Sequence, residues 1–394
     1  MVVLPSDMRG LNRRALFGCL RRIGVASRAD LAKSLGMSAP TAGKIVDELI
    51  ELGVLEEIDE SPPARPVAGG PRRARRLGRP ARLLRLEGRR PRFLALELGV
   101  RETRLALVPI AASGEEDWTV RFPTGSSASQ WQQRLGQAAR RLPAHDLHGA
   151  LLSTPGIVDE KAGRVLFSPN LHWTARTDLR RLVGDIWNLR VEVVQEERAL
   201  ALGHLAADPG GDDFLLVDFG EGVGGAVVSG GHVYQSPLPL SGELGHTPVL
   251  GNRRPCGCGA TGCVETLVSR TGLLESFAAA RAGEPATWED LQAHLQARRV
   301  PAWLAEALDA IAVGIAGALN VLGLKRTVIT GSLATLPSAV FDYLSAAITR
   351  GAMWARFGRV HCEIAPRRRL AGLVAVGIDQ FVIPSHHHRR DVAA

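Results

Sequence analysis

Three cysteines and a histidine in one short stretch constrain this chain more than any other feature. They are His246, Cys256, Cys258 and Cys263, and glycines lie between the thiols. Three thiolates and an imidazole make a closed tetrahedral Zn²⁺ site, which shapes a loop and leaves no position for substrate. A disulfide and simple buried thiols are the alternatives. The odd total of five cysteines favours zinc, as does an N-terminus that lacks the order of a secretory signal.

Length and hydropathy indicate a globular protein of several domains. The chain has 394 residues, which predicts two or three domains, and 45% of them are hydrophobic, enough for sizeable cores. No apolar run approaches the ~18 residues that a bilayer span needs. We therefore expect a cytoplasmic protein without a membrane partner, in which thiols stay reduced and available to metal.

The positive charge of the chain is segregated at its N-terminus. Residues 1–92 contain 19 Lys and Arg against 10 Asp and Glu, whereas the remainder contains 29 against 30. A composition bias towards arginine explains why only four of the basic residues are lysine, but it does not explain the segregation. This asymmetry predicts a nucleic-acid-binding module joined to a neutral body.

The N-terminal pattern is typical of a winged helix-turn-helix. An amphipathic helix is predicted over residues 10–24, with apolar side chains at i, i+4 spacing and a glycine stop. Ser27-Arg-Ala-Asp30 resembles a capping box with Asp in place of Glu and opens a short second helix. A third helix follows from Ala39 to about Leu52, with Ser38 as its N-cap. Segments 53–58 and 83–86 are the predicted wing strands.

The third helix is the expected recognition helix. Its candidates for DNA contact, on the face opposite the apolar stripe, are Ser38, Pro40, Thr41 and Lys44. Arg79 of the wing is a further candidate. We assign residues 1–60 and 77–90 to this domain and residues 61–76 to an Arg- and Pro-rich wing insertion or linker. A three-helix protein-interaction domain is the alternative.

The rest of the chain alternates strands with helices. Apolar strands are predicted at 93–98, 103–108, 149–154, 213–218 and 326–330, with helical segments between them. Such alternation predicts α/β lobes with ligand-binding loops at the strand ends. A glycine-rich turn follows the fourth of these strands and could approach a phosphate, although turns of this kind are common in hairpins.

Several motifs together resemble the ROK family of repressors and sugar kinases. The resemblance rests on the Gly-Glu-x-Gly-His element at 242–246, the cysteine cluster closed by Glu265, and the loops at 154–158, 168–173 and 217–225. It covers nearly the whole chain. It implies an α/β actin-like fold of two lobes, the first over residues 91–205 plus 371–385 and the second, with the zinc loop, over 206–370.

The resemblance also implies a set of sugar contacts. Carried over position by position, they are Gly156, Asn170, Gln195, Glu196, Glu243, His246 and Glu265. Carboxylates and amides suit this task because they accept from and donate to adjacent hydroxyls. His246 would also ligate the zinc ion, which would link metal geometry to ligand geometry.

Two departures from the kinases of the family argue against catalysis. The kinases carry Asn-Asp, whose aspartate is the general base, where this chain has Gln195-Glu196. They also carry an Asp-x-Gly-Gly-Thr phosphate loop, where this chain has Glu97-Leu-Gly-Val-Arg101. Glu196 is therefore a vestigial base position, since phosphoryl transfer depends on positioning. We expect no enzyme activity.

The sequence thus predicts a sugar-responsive transcriptional regulator, most simply a repressor of carbohydrate metabolism genes. Its expected partners are operator DNA, a sugar or sugar-phosphate effector and further copies of itself, as a homodimer or homotetramer. One alternative is an ATP-dependent sugar kinase with an attached DNA-binding domain. Another is a regulator that has lost ligand binding.

Overall fold

The predicted N-terminal helices form a module with three short strands. The computed structural model describes residues 5–58, 82–111, 117–142, 145–208, 210–296 and 300–383. The module consists of α1 (Pro5–Ile23), β1 (Val25–Ser27), α2 (Arg28–Ser34), α3 (Ala39–Glu51), β2 (Leu55–Ile58) and β3 (Leu83–Leu86). Its strands pair antiparallel in the order β1-β3-β2. Helix α1 begins five residues earlier than predicted, at a proline whose fixed φ suits a first helical turn.

Both predicted helix caps of the module are confirmed. The Asp30 amide donates to Ser27 Oγ at 3.2 Å, and the Ser27 amide donates to Asp30 Oδ2 at 3.2 Å. The aspartate variant thus forms a complete capping box. At α3, the Thr41 amide donates to Ser38 Oγ at 3.3 Å. Residues 59–81, with the predicted insertion and Arg79, lie outside the described residues.

A first five-stranded sheet follows the module, in the order β10-β7-β4-β5-β6. Its lobe contains β4 (Phe93–Leu98), β5 (Glu102–Val108), β6 (Val120–Pro123), α4 (Ala128–Ala139), β7 (Gly149–Thr154), β8 (Ile157–Asp159), β9 (Arg164–Phe167), a 3₁₀ turn (His172–Arg176), α5 (Leu179–Trp187), β10 (Val191–Gln195) and α6 (Glu196–Ala207). Strands β10, β7 and β4 run parallel, so their carboxyl ends meet at one edge. That edge carries the Pro-Gly loop and the start of α6.

A second five-stranded sheet has the order β13-β12-β11-β14-β15. Its strands are β11 (Phe214–Phe219), β12 (Val223–Ser229), β13 (His232–Val233), β14 (Arg326–Gly331) and β15 (His361–Ile364). Its helices are a 3₁₀ turn (Leu244–His246), α7 (Glu265–Val268), α8 (Arg270–Ala280), α9 (Trp288–Gln296), α10 (Ala302–Leu322), a 3₁₀ turn (Leu333–Thr335), α11 (Ser338–Gly351) and a 3₁₀ turn (Met353–Arg356).

Helix α10 is the longest element of the second lobe. Its length and apolar composition alone would allow it to cross a bilayer. However, one face of the helix, with Leu304, Leu308 and Ile311, is fully buried in the core of the lobe. Packing of this kind identifies α10 as a core helix.

The chain returns from the second sheet to the first lobe at residues 365–368. Helix α12 (Arg369–Gly377) then packs against α6, β7 and β4, and a π-helical turn (Ile378–Val382) follows it without a break. Buried side chains of α12 and this turn belong to the same hydrophobic cluster as those of α1 and α3. The N-terminal module and the first lobe therefore share one core.

Candidate ligand cleft and metal centre

The predicted metal ligands converge on one point. The donor atoms of His246, Cys256, Cys258 and Cys263 all lie within 4.8 Å of one another. Cys258 Sγ is 3.7 Å from Cys263 Sγ, and Cys256 Sγ is 3.6 Å from His246 Nδ1. A tetrahedral Zn²⁺ with Zn–S bonds of ~2.3 Å has ligand–ligand edges of about 3.8 Å. The donor set and its spacing therefore fit such an ion.

Short-range contacts shape the loop that carries these thiols. Gly262 has φ +86°, and a Cβ there would lie 2.7 Å from the Asn252 carbonyl, so only glycine fits. The Asn252 side chain donates to the Cys263 carbonyl at 3.1 Å. Burial raises the pKa of the Cys256 thiol, and a bound cation would displace its proton.

Two carboxylates connect the metal centre to the neighbouring cleft. Glu243 Oε2 lies 3.5 Å from His246 Nε2, on the far side of the imidazole from the thiols. Glu265 Oε1 lies 3.6 Å from Cys256 Sγ, while its Oε2 accepts from the Val223 amide at 2.9 Å. These contacts orient the metal ligands, so the loop and the cleft wall are positioned together.

A cleft of about 1330 Å³ opens between the two sheets. All of the predicted sugar contacts line it, namely Gly156, Asn170, Gln195, Glu196, Glu243, His246 and Glu265. They come from both lobes, since the first four belong to the first lobe and the others to the zinc loop region. Burial raises the pKa of Glu243, and His246 opposes that rise.

Gly156 turns the chain sharply at the floor of the cleft. Its φ is +100°, and a Cβ would lie 2.4 Å from the Phe167 carbonyl. The next loop is also held closely, because a Cβ at Gly257 of the zinc loop would lie 3.3 Å from Pro169. The loop before Asn170 therefore packs on the metal loop of the opposite lobe.

A fully buried arginine contacts Glu196, which the sequence analysis predicted to be a vestigial base position. Arg369, the first residue of α12, donates from Nη1 to Glu97 Oε1 at 2.5 Å and also contacts Glu196 Oε1. The Glu196 side chain is 17% exposed. Burial raises the pKa of Glu196, and the guanidinium of Arg369 opposes that rise. The carboxylate that would act as a general base is thus occupied by an internal cation.

Asp218, a carboxylate of the second lobe, is also paired with an arginine of the chain. Asp218 at the end of β11 accepts from Arg367 Nε at 2.8 Å and Nη2 at 2.7 Å, and from Thr330 Oγ1 at 2.6 Å. Burial alone would raise the pKa of Asp218, but Arg367 and Thr330 lower it. A bidentate pair of this kind is both strong and directional.

A third ion pair crosses the mouth of the cleft. Arg101, on the loop between β4 and β5, places Nε 2.9 Å from Glu221 Oε1 and donates from Nη2 to Glu221 Oε2 at 2.9 Å. The two residues belong to opposite lobes. The sequence showed only that Arg101 stands where the phosphate loop of the kinases ends in threonine, whereas in the structure its side chain ties this loop to the opposite lobe.

Glu197 is a cleft residue that the sequence analysis missed. The Gln195 side chain donates to Glu197 Oε2 at 2.6 Å. Burial and the neighbouring Glu196 raise the pKa of Glu197 well above its usual value. Two adjacent glutamates at a helix start are common, because a helix N-terminus favours acidic residues. The feature of the sequence that could have identified Glu197 is its position directly after Glu196, the predicted base position.

The predicted DNA contacts lie together on the surface of the module. Ser38, Pro40, Thr41 and Lys44 are all exposed at the start of α3, while Ile45 and Val46 behind them are buried. The hydroxyls of Ser38 and Thr41 are 2.7 Å apart, so each already has one polar partner. The fifth candidate, Arg79, lies outside the described residues.

Comparison with known proteins gives two kinds of relative. A sequence profile described as the ROK family matches residues 93–377. A putative xylose repressor from a Caldicellulosiruptor species is 26% identical over 388 residues, spanning 91% of this chain and 94% of that protein. An N-acetylmannosamine kinase from Shigella boydii is 34% identical over 194 residues, spanning 48% of this chain and 64% of the kinase.

A solved structure resembles the chain over almost its whole length. It is a ROK family transcriptional regulator described as a homologue of the Escherichia coli Mlc protein, with a TM-score of 0.73 and 20% identity. The match covers 96% of this chain and 98% of that one. This likeness confirms the two-lobed actin-like fold that the sequence predicted for the body of the chain.

Glu197→Gln should stabilise the protein at high pH. Because the folded pKa is raised, the native state keeps the proton while the unfolded chain releases it, so wild-type stability falls as pH rises above about 4.5. A glutamine side chain has nearly the same shape as glutamate but does not ionise, so the variant avoids this loss of stability. We expect a melting temperature a few degrees above wild type at pH 8, with a smaller difference at pH 5, since ~1 kcal/mol moves it by about 2–4 °C.

The matched control for this substitution is Glu275→Gln, on the exposed face of α8. It should leave the melting temperature unchanged at both pH values. Equal differences from wild type at pH 5 and pH 8 would contradict a raised pKa at Glu197.

Proposed function

The chain belongs to the ROK family, and on that premise we propose that it is a DNA-binding transcriptional regulator, a repressor that responds to a sugar. One observation carries the proposal. The residues expected to hold a sugar line a single cleft, whereas Glu97, Glu196 and Asp218 are each held by an arginine of the chain itself. The cleft is thus suited to binding and unsuited to phosphoryl transfer.

The internal ion pairs argue against the kinase alternative on physical grounds. A general base must be free to reach the proton of a sugar hydroxyl, and Arg369 already occupies one carboxylate oxygen of Glu196. The Arg101–Glu221 pair also lies between the two loops that nucleotide phosphates would have to approach. Kinases are nevertheless among the relatives of the chain, so phosphoryl transfer is tested directly below.

The N-terminal module supplies the DNA-binding part of the proposal. Three helices followed by an antiparallel strand pair are the elements of a winged helix-turn-helix, in which the last helix enters the major groove. Helix α3 would present Ser38, Pro40, Thr41 and Lys44 to the bases and phosphates. Arg79 would contribute from the wing. Two half-sites require two recognition helices, which supports a homodimer or homotetramer.

The zinc loop is proposed to brace the sugar side of the cleft. His246 would bind Zn²⁺ through Nδ1 and donate its single Nε2–H, which lies beside Glu243, to a sugar hydroxyl. With the metal on Nδ1, the ring proton is on Nε2, which is the tautomer needed to donate a hydrogen bond into the cleft. Glu265 would hold a second hydroxyl while its other oxygen fixes the Val223 amide.

Cys258→Ser should release the metal. Loss of one of four ligands opens the site and removes a thiolate that zinc prefers over a hydroxyl. We expect zinc to fall from about one ion per chain to below about 0.2 by elemental analysis, with a lower melting temperature. Cys362→Ser, a thiol outside the cluster, is the control and should retain full metal. Equal metal contents in the two variants would refute the ligand assignment.

A sugar should raise the melting temperature without being phosphorylated. We would test D-xylose and N-acetyl-D-mannosamine, which the names of the relatives above suggest, and D-glucose, because a glucokinase from Halalkalibacterium halodurans is 27% identical over 190 residues. At about 100 times Kd, a ligand adds ~2.7 kcal/mol of apparent stability. We expect at least one of these sugars to raise the melting temperature of the wild-type protein. The same sugar should not raise that of Glu243→Gln, which loses a carboxylate of the cleft.

The same samples, supplied with Mg²⁺ and ATP, test the kinase alternative. We expect no sugar-dependent ADP release. Turnover that disappears in Glu196→Ala would instead establish the chain as a sugar kinase. A chain that binds zinc but responds to none of the sugars would favour a regulator without a carbohydrate ligand.

Lys44→Ala should weaken DNA binding in a salt-dependent manner. A lysine on a phosphate releases counterions, so its loss reduces the slope of log K against log salt by about 1. The probe is a duplex that the wild-type protein enriches from a random-sequence library, measured by fluorescence anisotropy. Lys33→Ala, exposed on α2, is the control and should leave the slope unchanged. Failure to enrich any sequence would rule out specific recognition by α3.

A further inference from the structure

Helix α12 begins at the ligand cleft. Its first residue, Arg369, is fully buried and bridges Glu97 and Glu196, a residue expected to contact the sugar. Two residues earlier, Arg367 is bonded to Asp218 in the second lobe. The start of α12 is therefore fixed to both lobes, and a movement of one lobe against the other acts on it.

The other end of this element touches the N-terminal module. The π-helical turn continues α12, and Arg14 of α1 lies against it. Arg14 Nε is 3.3 Å from Asp379 Oδ1, and its Nη2 donates to the Ile383 carbonyl at 3.1 Å. A π-helical turn often marks a functional position in a helix, because its extra residue must be held by its surroundings.

The element between these two ends is buried in the core that the N-terminal module and the first lobe share. Leu373 and Val374 of α12 and Ile378 and Val382 of the turn are buried, and all belong to the cluster that contains Leu16 of α1. At 1.5 Å per residue the element spans roughly 20 Å. Close packing makes such a helix move as a unit, since its neighbours cannot absorb a shift.

We propose that α12 and its π-helical turn carry the state of the cleft to the DNA-binding module, with Arg14 as the joint. This inference rests on the proposed function. A sugar hydroxyl that bonds to Glu196 would compete with Arg369 for the same carboxylate, so the ligand would have different contacts with Arg369 bound to Glu196 and with Arg369 displaced from it. Such a difference is what a ligand needs in order to shift an equilibrium.

A second set of contacts joins the N-terminal module to the first lobe, and these contacts do not involve α12. A Cβ at Gly53, just after α3, would lie 2.2 Å from the Arg92 guanidinium. Arg92 belongs to the segment that leads directly into β4. These contacts hold the module in place, and they provide the alternative route that the experiment must separate from Arg14.

The test compares Arg14→Met with Arg22→Met, an exposed arginine on the same helix. Operator affinity is measured with and without the sugar that stabilises wild type, on the enriched duplex and at fixed salt. Allosteric coupling commonly changes affinity by about 5–150-fold. We expect the sugar to weaken DNA binding to this extent in the wild-type protein and in Arg22→Met. In Arg14→Met the sugar should weaken DNA binding by less than about 2-fold. Calorimetry should give all three proteins the same sugar affinity.

A full sugar response in Arg14→Met would overturn the inference, because the sugar would then act on the module without the Arg14 contacts. Asp379→Asn provides a second variant should Arg14→Met fold poorly, because it removes the charge but keeps the Ile383 hydrogen bond. It should reduce the response partly, and an unreduced response again overturns the inference. A wild-type protein that binds the duplex but responds to none of the three sugars would refute the proposed function, and this inference with it.

Discussion

The buried guanidinium of Arg369 organises the centre of this molecule. An uncompensated charge in a protein interior is strongly destabilising, and removing one partner of a buried pair commonly costs about 3–5 kcal/mol. Glu97 on β4 and Glu196 at the start of α6 provide the compensation, so the three elements are fixed relative to one another. Arg104 approaches Glu97 from β5 at 3.4 Å and completes the neutralisation. The same arrangement places an arginine on two carboxylates that line the cleft.

The metal loop and the cleft depend on each other through shared side chains. Glu265 reaches a thiol with one oxygen and a backbone amide of β12 with the other, and His246 faces the thiols with one nitrogen and Glu243 with the second. A metal ion on the thiols would fix the imidazole and thereby the two carboxylates that face the cleft. A metal on the thiols and a ligand in the cleft would therefore be coupled through these side chains.

The sequence predicted those features that are encoded over short distances. The capping box at Ser27 and Asp30 and the N-cap at Ser38 need partners only three residues away, and the four candidate metal ligands, whose donor atoms converge, lie within 18 residues of one another in the sequence. The resemblance to a family placed the cleft residues. The pairing of Arg369 with Glu97 was not predictable, because 272 residues separate them and no local pattern marks the partner. The same holds for Arg101 with Glu221 and for Arg14 with Ile383, which exist only once the lobes and the module are assembled.

The charge of the N-terminal module is less available to DNA than its composition suggests. Within the described part of the module, arginines that are already paired with its own acids are Arg9, Arg13, Arg28, Arg82 and Arg85. Partly exposed pairs of this kind orient side chains but contribute little stability. Residues 61–81 contain six further arginines and no acidic residue. Phosphate contacts would therefore have to come from cations outside these pairs, among them Lys44 at the exposed start of α3, and each such contact would make DNA binding more sensitive to salt.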